Sequence, residues 1–263
     1  MSTIHNKKVV VKVGTNVLTQ AEGLPHITAI SQIVDQLAQL KKQGFHIILV
    51  SSGAVGAGKG LLGSSTEMNK VVRRQVYAAV GQIRLMNIYS ELLANYGLHC
   101  AQLLATKEDF RDRSHYLNMK NCFQALLRDQ IIPIVNENDV VAVSELMFTD
   151  NDELAGLIAS MINAHAFIIL SNVDGVYNGP PNAPDSQLIP IIESDDKKIL
   201  AAISPSRSSF GRGGMSTKFR IARKAAQVGI HTYVANGRRP NILIDILNND
   251  FVGTYFKASA QLS

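Results

Sequence analysis

Short runs rich in Val and Ile alternate with longer amphipathic stretches along this chain of 263 residues. Residues 8–13 form the first apolar run, which ends at Gly14-Thr15, and residues 46–50 form the next one. Between them, the apolar side chains of residues 28–42 recur at intervals of three and four, which indicates a helix. A strand, a helix and a second strand in this order predict a parallel pair of strands joined by a crossover helix.

The alternation continues to the end of the chain. It predicts further strands over residues 99–104, 131–135, 142–148, 166–170, 232–235 and 253–256, of which 142–148 is an exposed hairpin strand. It predicts further helices over residues 68–96, 114–128, 193–203, 216–228 and 242–247, with one more entered through a serine cap at Ser51-Ser52 and one capped by residues 149–152. This pattern predicts an α/β fold whose mostly parallel sheet is covered on both faces and binds ligands beyond the carboxyl ends of its strands.

Composition narrows the class of protein. A hydrophobic fraction of 46% and a charged fraction of 18% are typical of a folded globular chain. The net charge of +5 favours anionic ligands, but the basic residues occur singly or in pairs, so no nucleic-acid partner is predicted. Only Cys100 and Cys122 are present, and no apolar run reaches the roughly 18 residues of a membrane helix. We therefore expect a cytoplasmic protein without a membrane segment.

A glycine-rich stretch, residues 211–218, precedes a predicted helix and ends at Lys218. Glycines let backbone N–H groups approach an anion, and a helix start adds unpaired donors and a partial positive charge. A phosphate group would fit there with Lys218 beside it, although a loop with a plain serine or threonine cap is the alternative. Two other glycine patterns, at residues 53–60 and 58–63, lack the context of nucleotide-binding motifs and indicate packing.

Polar residues also follow the predicted strands. Lys12 lies at the end of a Val-rich strand, where burial would require a carboxylate or a ligand anion, although solvated lysines are also common at strand ends. Together, Lys12 and Lys218 would place two positive charges beside a phosphoryl group during its transfer. Four carboxylates could bind a metal, pair with these lysines or recognise an ammonium group: Glu137, Asp139, Asp150 and Asp152. Asp150 or Asn151 could equally be a plain helix cap.

Five segments carry a family resemblance. They are Lys12-Val13-Gly14-Thr15, Ser51-Ser52-Gly53-Ala54, Asn136-Glu137-Asn138-Asp139, Asp150-Asn151-Asp152 and Gly213-Gly214-Met215-Ser216-Thr217-Lys218. In this order and spacing they resemble the amino acid kinase superfamily and, within it, the glutamate 5-kinases, over about residues 8–256. The resemblance implies a three-layer αβα sandwich that uses ATP and Mg²⁺ to phosphorylate the side-chain carboxylate of L-glutamate, the first step of proline biosynthesis.

The resemblance also implies a role for each matching residue. Lys12, Lys218 and Asp152 would be catalytic, with Asp152 organising both lysines. Glutamate would bind at Ser52, Asp139 and Asn151, assisted by Gly53 and Asn136. The nucleotide would bind at Lys12, Ser171, Asn172, Arg212, Gly213, Gly214, Met215, Ser216, Thr217 and Lys218, with Mg²⁺ held mainly by the ATP phosphates. Residues 1–258 would form the kinase domain, with glutamate bound by about residues 1–165 and ATP by about 166–258, before a tail at 259–263.

Several expectations concern partners and departures from the family pattern. The resemblance implies feedback inhibition by proline, a homodimer or homotetramer, and functional coupling to glutamyl phosphate reductase. Many members carry a C-terminal PUA domain, and we expect this chain to be a kinase-domain-only member. Ser171-Asn172 stands where the family often has Thr-Asp, which keeps a hydroxyl but removes a charge at the nucleotide. The alternatives are another amino acid kinase, acting on acetylglutamate, aspartate, carbamate or UMP, and a non-catalytic nucleotide-binding regulator.

Overall fold

The computed structural model describes residues 7–20, 23–63, 68–141, 148, 150–181, 183–193 and 214–259. The strands in these ranges are β1 Lys8–Val13, β2 His46–Ser51, β3 Cys100–Ala105, β4 Ile132–Glu137, β5 Ala166–Ser171, β6 Ile191–Glu193, β7 His231–Asn236 and β8 Gly253–Lys257. The helices are α1 Thr15–Leu18, α2 Ile27–Lys42, α3 Ala54–Leu62, α4 Lys70–Ala94, α5 Arg113–Arg128, α6 Asn151–Met161, α7 Met215–Gln227 and α8 Ile242–Leu247, with a 3₁₀ turn at Glu108–Phe110.

All the named strands form a single sheet in the order β3-β4-β2-β1-β5-β7-β8-β6. Each neighbouring pair is parallel except β7 and β8, which are antiparallel. The predicted α/β fold with a mostly parallel sheet is therefore confirmed. Because β1 lies between β2 and β5, its carboxyl end is in the middle of the edge at which such sheets bind ligands.

Strands β1, β2, β4 and β5 are buried on both faces of the sheet, which is why they are mostly apolar runs. Val9, Val11 and Val13 of β1 point into a core that includes apolar side chains of α2, α4 and α8. Val10 points to the opposite face and into a second core that includes side chains of α5, α6 and α7. Side chains alternate along a strand, so Lys12 lies on the same face as Val10, which is the face covered by α6 and α7.

Several local predictions differ from the structure. The predicted serine cap is wrong, because α3 begins after Gly53, whose φ of 100° favours glycine and which has no side-chain cap. The short elements α1 and β6 were not predicted, because four-residue and three-residue elements are too short to show a period. The predicted helix over residues 193–203 is wrong at Glu193, which is the last residue of β6, and its other residues lie outside the described ones. The predicted hairpin strand, apart from Phe148, also lies outside the described residues.

Helices α3 and α4 pack in close contact because each has a glycine at the crossing point. A Cβ on Gly81 would overlap the carbonyl oxygen of Ala54, and a Cβ on Gly58 would overlap the carbonyl oxygen of Tyr77. The packing role predicted for the glycines near residue 58 agrees with this contact. Among the described helices, none is long and apolar enough to span a membrane.

Gly81→Ala is expected to lower the free energy of unfolding by about 3 kcal/mol, because the added methyl group must push α3 away from α4. Urea denaturation of the two proteins measures the difference. Gly179→Ala is the control, since its Cβ would meet its nearest neighbour, the Oγ of Ser186, at an ordinary 3.6 Å. Equal losses of stability in the two variants would contradict the close-packing explanation.

Candidate functional site

A cleft of about 890 Å³ opens at the carboxyl ends of the central strands. Its wall includes the ends of β1, β2, β4 and β5 and the first turns of α3, α6 and α7. Most of the site residues predicted from the sequence line it: Lys12, Ser52, Gly53, Asn136, Asp139, Asn151, Asp152, Ser171, Asn172, Gly214, Met215 and Lys218. The topology explains this convergence, because parallel strands all end at the same edge of the sheet.

An ion triad occupies the middle of the cleft. Asp152 is fully buried, and its two carboxylate oxygens face the Nζ atoms of Lys12 at 2.6 Å and Lys218 at 2.9 Å. Lys12 comes from β1, Asp152 from the first turn of α6 and Lys218 from the first turn of α7. Both lysines are also buried, at 4% and 9% exposure, so the alternative of a solvated strand-end lysine is wrong for Lys12.

Burial and charge act against each other in this triad. Burial alone would raise the pKa of Asp152, but the positive charges of Lys12 and Lys218 outweigh it and hold that pKa below its usual value. Burial lowers the pKa of Lys12, and the pairing with Asp152 only partly offsets the shift. The two lysines are therefore held by one shared carboxylate, and their burial reduces the screening of these charges by solvent.

Asp150 has the capping role that the sequence left open. Its side chain accepts hydrogen bonds from the backbone N–H groups of Asp152 and Glu153, at 2.9 and 3.2 Å, and so caps α6. Burial and the nearby charge of Asp152 raise the pKa of Asp150. The cap fixes the start of α6 and therefore the position of Asp152.

A network of amides lies beside the triad. The Nδ2 of Asn151 donates to the Oγ of Ser52 at 3.0 Å and to the Oδ1 of Asn136 at 2.7 Å. The Nδ2 of Asn136 in turn donates to the Oε1 of Gln82 at 2.9 Å. The structure therefore brings Ser52, Asn136 and Asn151 together, as predicted. Gln82 was not predicted, because it lies on α4, 54 residues from its partner Asn136.

Arg74 also lines the cleft and was not predicted, because Arg73-Arg74 is one of the scattered basic pairs of the sequence. Its Nε and Nη2 donate to the Oδ1 of Asp139 at 3.0 and 2.7 Å, and its Nη2 lies 3.5 Å from the Oε2 of Glu137. The other oxygen of Glu137, Oε1, accepts the backbone N–H of Phe148 at 2.8 Å. Asp139 thus lies in the cleft as predicted, with one oxygen already paired.

The far end of the cleft is formed by the strand end of β5 and the start of α7. Ser171, Asn172, Gly214 and Met215 line it, whereas Ser216 and Thr217 lie in α7 and do not. Gly214 caps α7 without a side-chain hydrogen bond, so the alternative of a serine or threonine cap is wrong. The predicted residues Arg212 and Gly213, and most of the segment before them, lie outside the described residues.

Gly14 brings the backbone close to the triad. Its N–H donates to the carbonyl of Leu170 at 3.1 Å, and a Cβ at this position would lie 3.5 Å from the Nζ of Lys12.

An ion pair joins two loops at the carboxyl edge of the sheet. In the loop after β5, Asp174 accepts from the Nε and Nη2 of Arg239 at 2.8 and 2.9 Å. This pairing lowers the pKa of Asp174 and ties the loop after β5 to the loop after β7.

Comparison with known proteins assigns the class. The model of the amino acid kinase family matches residues 7–236. Among solved structures, carbamate kinase from Giardia lamblia bound to AMP-PNP is 20% identical with a TM-score of 0.69, and the alignment covers 97% of this chain and 99% of that one. UMP kinase from Ureaplasma parvum is 15% identical with a TM-score of 0.67, covering 97% and 100%. Identities this low bear on the fold alone.

Closer relatives name the subgroup. The chain is 51% identical to the glutamate 5-kinase of Bacteroides thetaiotaomicron, over 97% of this chain and 71% of the relative. It is 50% identical to that of Chlorobaculum tepidum, over 96% and 69%, and 39% identical to that of Clostridium tetani, over 96% and 95%. The chain therefore belongs to the amino acid kinase family and, within it, to the glutamate 5-kinases.

Proposed function

We propose that this chain transfers the γ-phosphoryl group of ATP to the side-chain carboxylate of L-glutamate, giving L-glutamyl 5-phosphate and ADP, the first step of proline biosynthesis. The observation that carries the proposal is the ion triad of Lys12, Asp152 and Lys218 next to the amide network of Ser52, Asn136 and Asn151. The triad suits phosphoryl transfer, and the network suits the binding of a small polar acceptor. Membership of the glutamate 5-kinases supports the choice of glutamate.

The nucleophile in this reaction needs no general base. A glutamate side chain has a pKa of about 4.3 and is already ionised at neutral pH. It needs to be positioned in line with the phosphoryl group, and negative charge must be neutralised as the two anions approach each other. Lys12 and Lys218 supply that charge, and Asp152 holds the two Nζ atoms in place.

The acceptor binds on the amide side of the triad. Ser52 and the backbone N–H of Gly53 donate to substrate oxygen atoms, and Asn151 and Asn136 orient the serine. Asp139 accepts from the substrate ammonium through Oδ2, since Arg74 is paired with Oδ1. These assignments place the reacting carboxylate next to Lys12 and the amino end of glutamate next to Asp139.

The nucleotide binds on the other side of the triad. Ser171 and Asn172 face it from β5, and the uncapped first turn of α7 directs backbone N–H groups at its phosphates. Asn172 is exposed, so it contributes a neutral hydrogen-bonding group at the rim of the cleft. Within the described ranges no three His, Cys, Asp or Glu side chains cluster to hold a metal, and Mg²⁺ enters on the ATP phosphates, where it neutralises charge.

The test is acyl phosphate formation from ATP, Mg²⁺ and L-glutamate, trapped as the hydroxamate with hydroxylamine. Acetylglutamate, aspartate, carbamate and UMP are offered in parallel, and the expected result is product with glutamate at a rate far above any of these. No hydroxamate from glutamate with folded, ATP-binding protein would overturn the proposal. A higher rate with another acceptor would reassign the chain to a different branch of the amino acid kinases.

The family resemblance supports two proposals about partners, a homodimer or homotetramer and delivery of the acyl phosphate to glutamyl phosphate reductase. It also supports a cytoplasmic location and feedback inhibition by proline at or near the glutamate site. Millimolar proline is expected to raise the KM for glutamate with little change in the KM for ATP, because the two ligands would compete for the amide side of the cleft. An unchanged rate across that range of proline would refute the inhibition.

A further inference from the structure

Three cationic side chains line the described part of the cleft: Lys12, Lys218 and Arg74. Two of them, the lysines, are held by Asp152 at the phosphoryl end. Arg74 lies at the opposite end, where α4 passes the carboxyl end of β4, and pairs with Asp139. The amino end of the proposed acceptor would therefore lie next to an arginine.

Glutamate brings three charged groups into the cleft, and each needs a partner. The side-chain carboxylate has to face Lys12 and Lys218, because it is the nucleophile. The α-ammonium needs an acceptor, and Asp139 provides one. The α-carboxylate then needs a donor several ångströms from the lysines, and a buried carboxylate without a charged or multiply donating partner is costly. The amide of Asn151 already donates to three acceptors, the Oγ of Ser52, the Oδ1 of Asn136 and the carbonyl of Ser51.

The geometry of Arg74 leaves donors for this purpose. A guanidinium has five N–H groups in a planar fork that matches a carboxylate. The hydrogen bonds from Arg74 to Asp139 and Glu137 use its Nε and Nη2 atoms. Its Nη1 atom has no partner among the described residues. The Arg74 side chain lines the cleft and is 33% exposed, whereas that of Asp139 is only 7% exposed, so the guanidinium is accessible to a ligand in the cleft.

We propose that Arg74 binds the α-carboxylate of the acceptor while Asp139, which it also orients, binds the neighbouring α-ammonium, so that the pair recognises the zwitterionic end of an α-amino acid. This inference rests on the proposed function. It makes Arg74 a specificity-determining residue, which selects acceptors carrying both charges on one carbon. It also explains why the carboxylate of Asp139 is paired through a single oxygen, leaving Oδ2 for the ammonium.

The experiment compares L-glutamate with L-isoglutamine, which keeps the reactive side-chain carboxylate but replaces the α-carboxylate by a neutral amide. In Arg74→Gln, kcat/KM for glutamate is expected to fall about 10- to 100-fold, the usual range for losing a hydrogen bond to a charged group, mainly through a higher KM. Isoglutamine is expected to lose several-fold less than glutamate, as a substrate or as a competitive inhibitor if its turnover is slow, because it makes no ion pair with Arg74 and is affected only through the orientation of Asp139. Arg74→Lys is expected to recover part of the loss.

Lys70→Gln is the matched control, since it removes one positive charge from an exposed position on the same helix. It should leave both substrates unchanged. Equal losses for glutamate and isoglutamine in Arg74→Gln would overturn the inference and make Arg74 a structural partner of Asp139. No loss for glutamate would overturn it as well. A wild-type chain inactive on glutamate would instead overturn the proposed function, and this inference with it.

Discussion

Lys12→Ala and Lys218→Ala are each expected to lower kcat at least about 100-fold, which is the scale of losing one charge that stabilises a transition state. Affinity for glutamate should fall much less than kcat, because both Nζ atoms are already paired with Asp152 and act mainly on charge that develops on the phosphoryl group during transfer. Steady-state kinetics gives kcat, and calorimetric titration with glutamate gives the affinity. A fall in affinity as large as the fall in kcat would assign the lysines to substrate binding.

Lys41→Ala is the control for the removal of a buried lysine. Lys41 is 9% exposed, as buried as Lys218, and its Nζ donates to the Oε1 of Gln130 at 2.7 Å, away from the cleft. Its loss should leave kcat unchanged even if stability falls. A near-wild-type kcat in either Lys12→Ala or Lys218→Ala would refute the assigned role of that lysine. The comparison with Lys41→Ala separates loss of catalysis from loss of folded protein.

The convergence of Lys12, Ser52, Asn136 and Ser171 could be predicted from the sequence because each follows a buried apolar run. In a parallel sheet such runs all end at one edge, so the position of a residue along its strand is enough to place it in the cleft. The ion triad follows from the same argument, since a lysine at the end of a buried strand needs an acidic partner. The starts of α6 and α7 supply Asp152 and the second lysine.

Arg74 and Gln82 could not be placed in this way. Both lie on α4, a long helix whose polar residues are typical of a solvated face, and their partners are 65 and 54 residues away. The only signal in the sequence is their separation of eight residues, which places them on one face of a helix. Which face points at the cleft depends on the contact of α4 with α3, and that contact depends on the fit of Gly81 against Ala54.

The pairing of Asp174 with Arg239 was also beyond the sequence, because it joins two loops. Loop conformation is set by contacts with neighbouring elements and has no period to detect. The same holds for Gly53, where a serine cap was predicted. Its positive φ turns the chain so that the hydroxyl of Ser52 meets Asn151 and does not cap the helix. The substrate side of the site therefore depends on turns more than on strands.

Asp152→Asn is expected to have the largest effect on the molecule, lowering the free energy of unfolding by about 3 to 5 kcal/mol, because it leaves two buried lysines without a counter-charge. Loss of kcat should be at least as large as in either lysine variant, since both cations lose their orientation. Urea denaturation and steady-state kinetics measure the two effects. Asp129→Asn is the control, because Asp129 is more than half exposed in its ion pair with Arg128 and should change neither quantity.

The cause of that destabilisation can be tested by pH and by a double variant. Because the pKa of Asp152 is lowered in the folded state, its stabilising contribution is present above the unfolded pKa of about 3.9 and is lost as the pH falls through the folded pKa. The difference in stability between wild type and Asp152→Asn should therefore shrink in acid. The double variant Asp152→Asn with Lys12→Ala should lose less free energy of unfolding than the sum of the two single variants, because it leaves one unpaired buried lysine fewer than Asp152→Asn alone. Additive losses would show that Asp152 acts through packing and not through its charge.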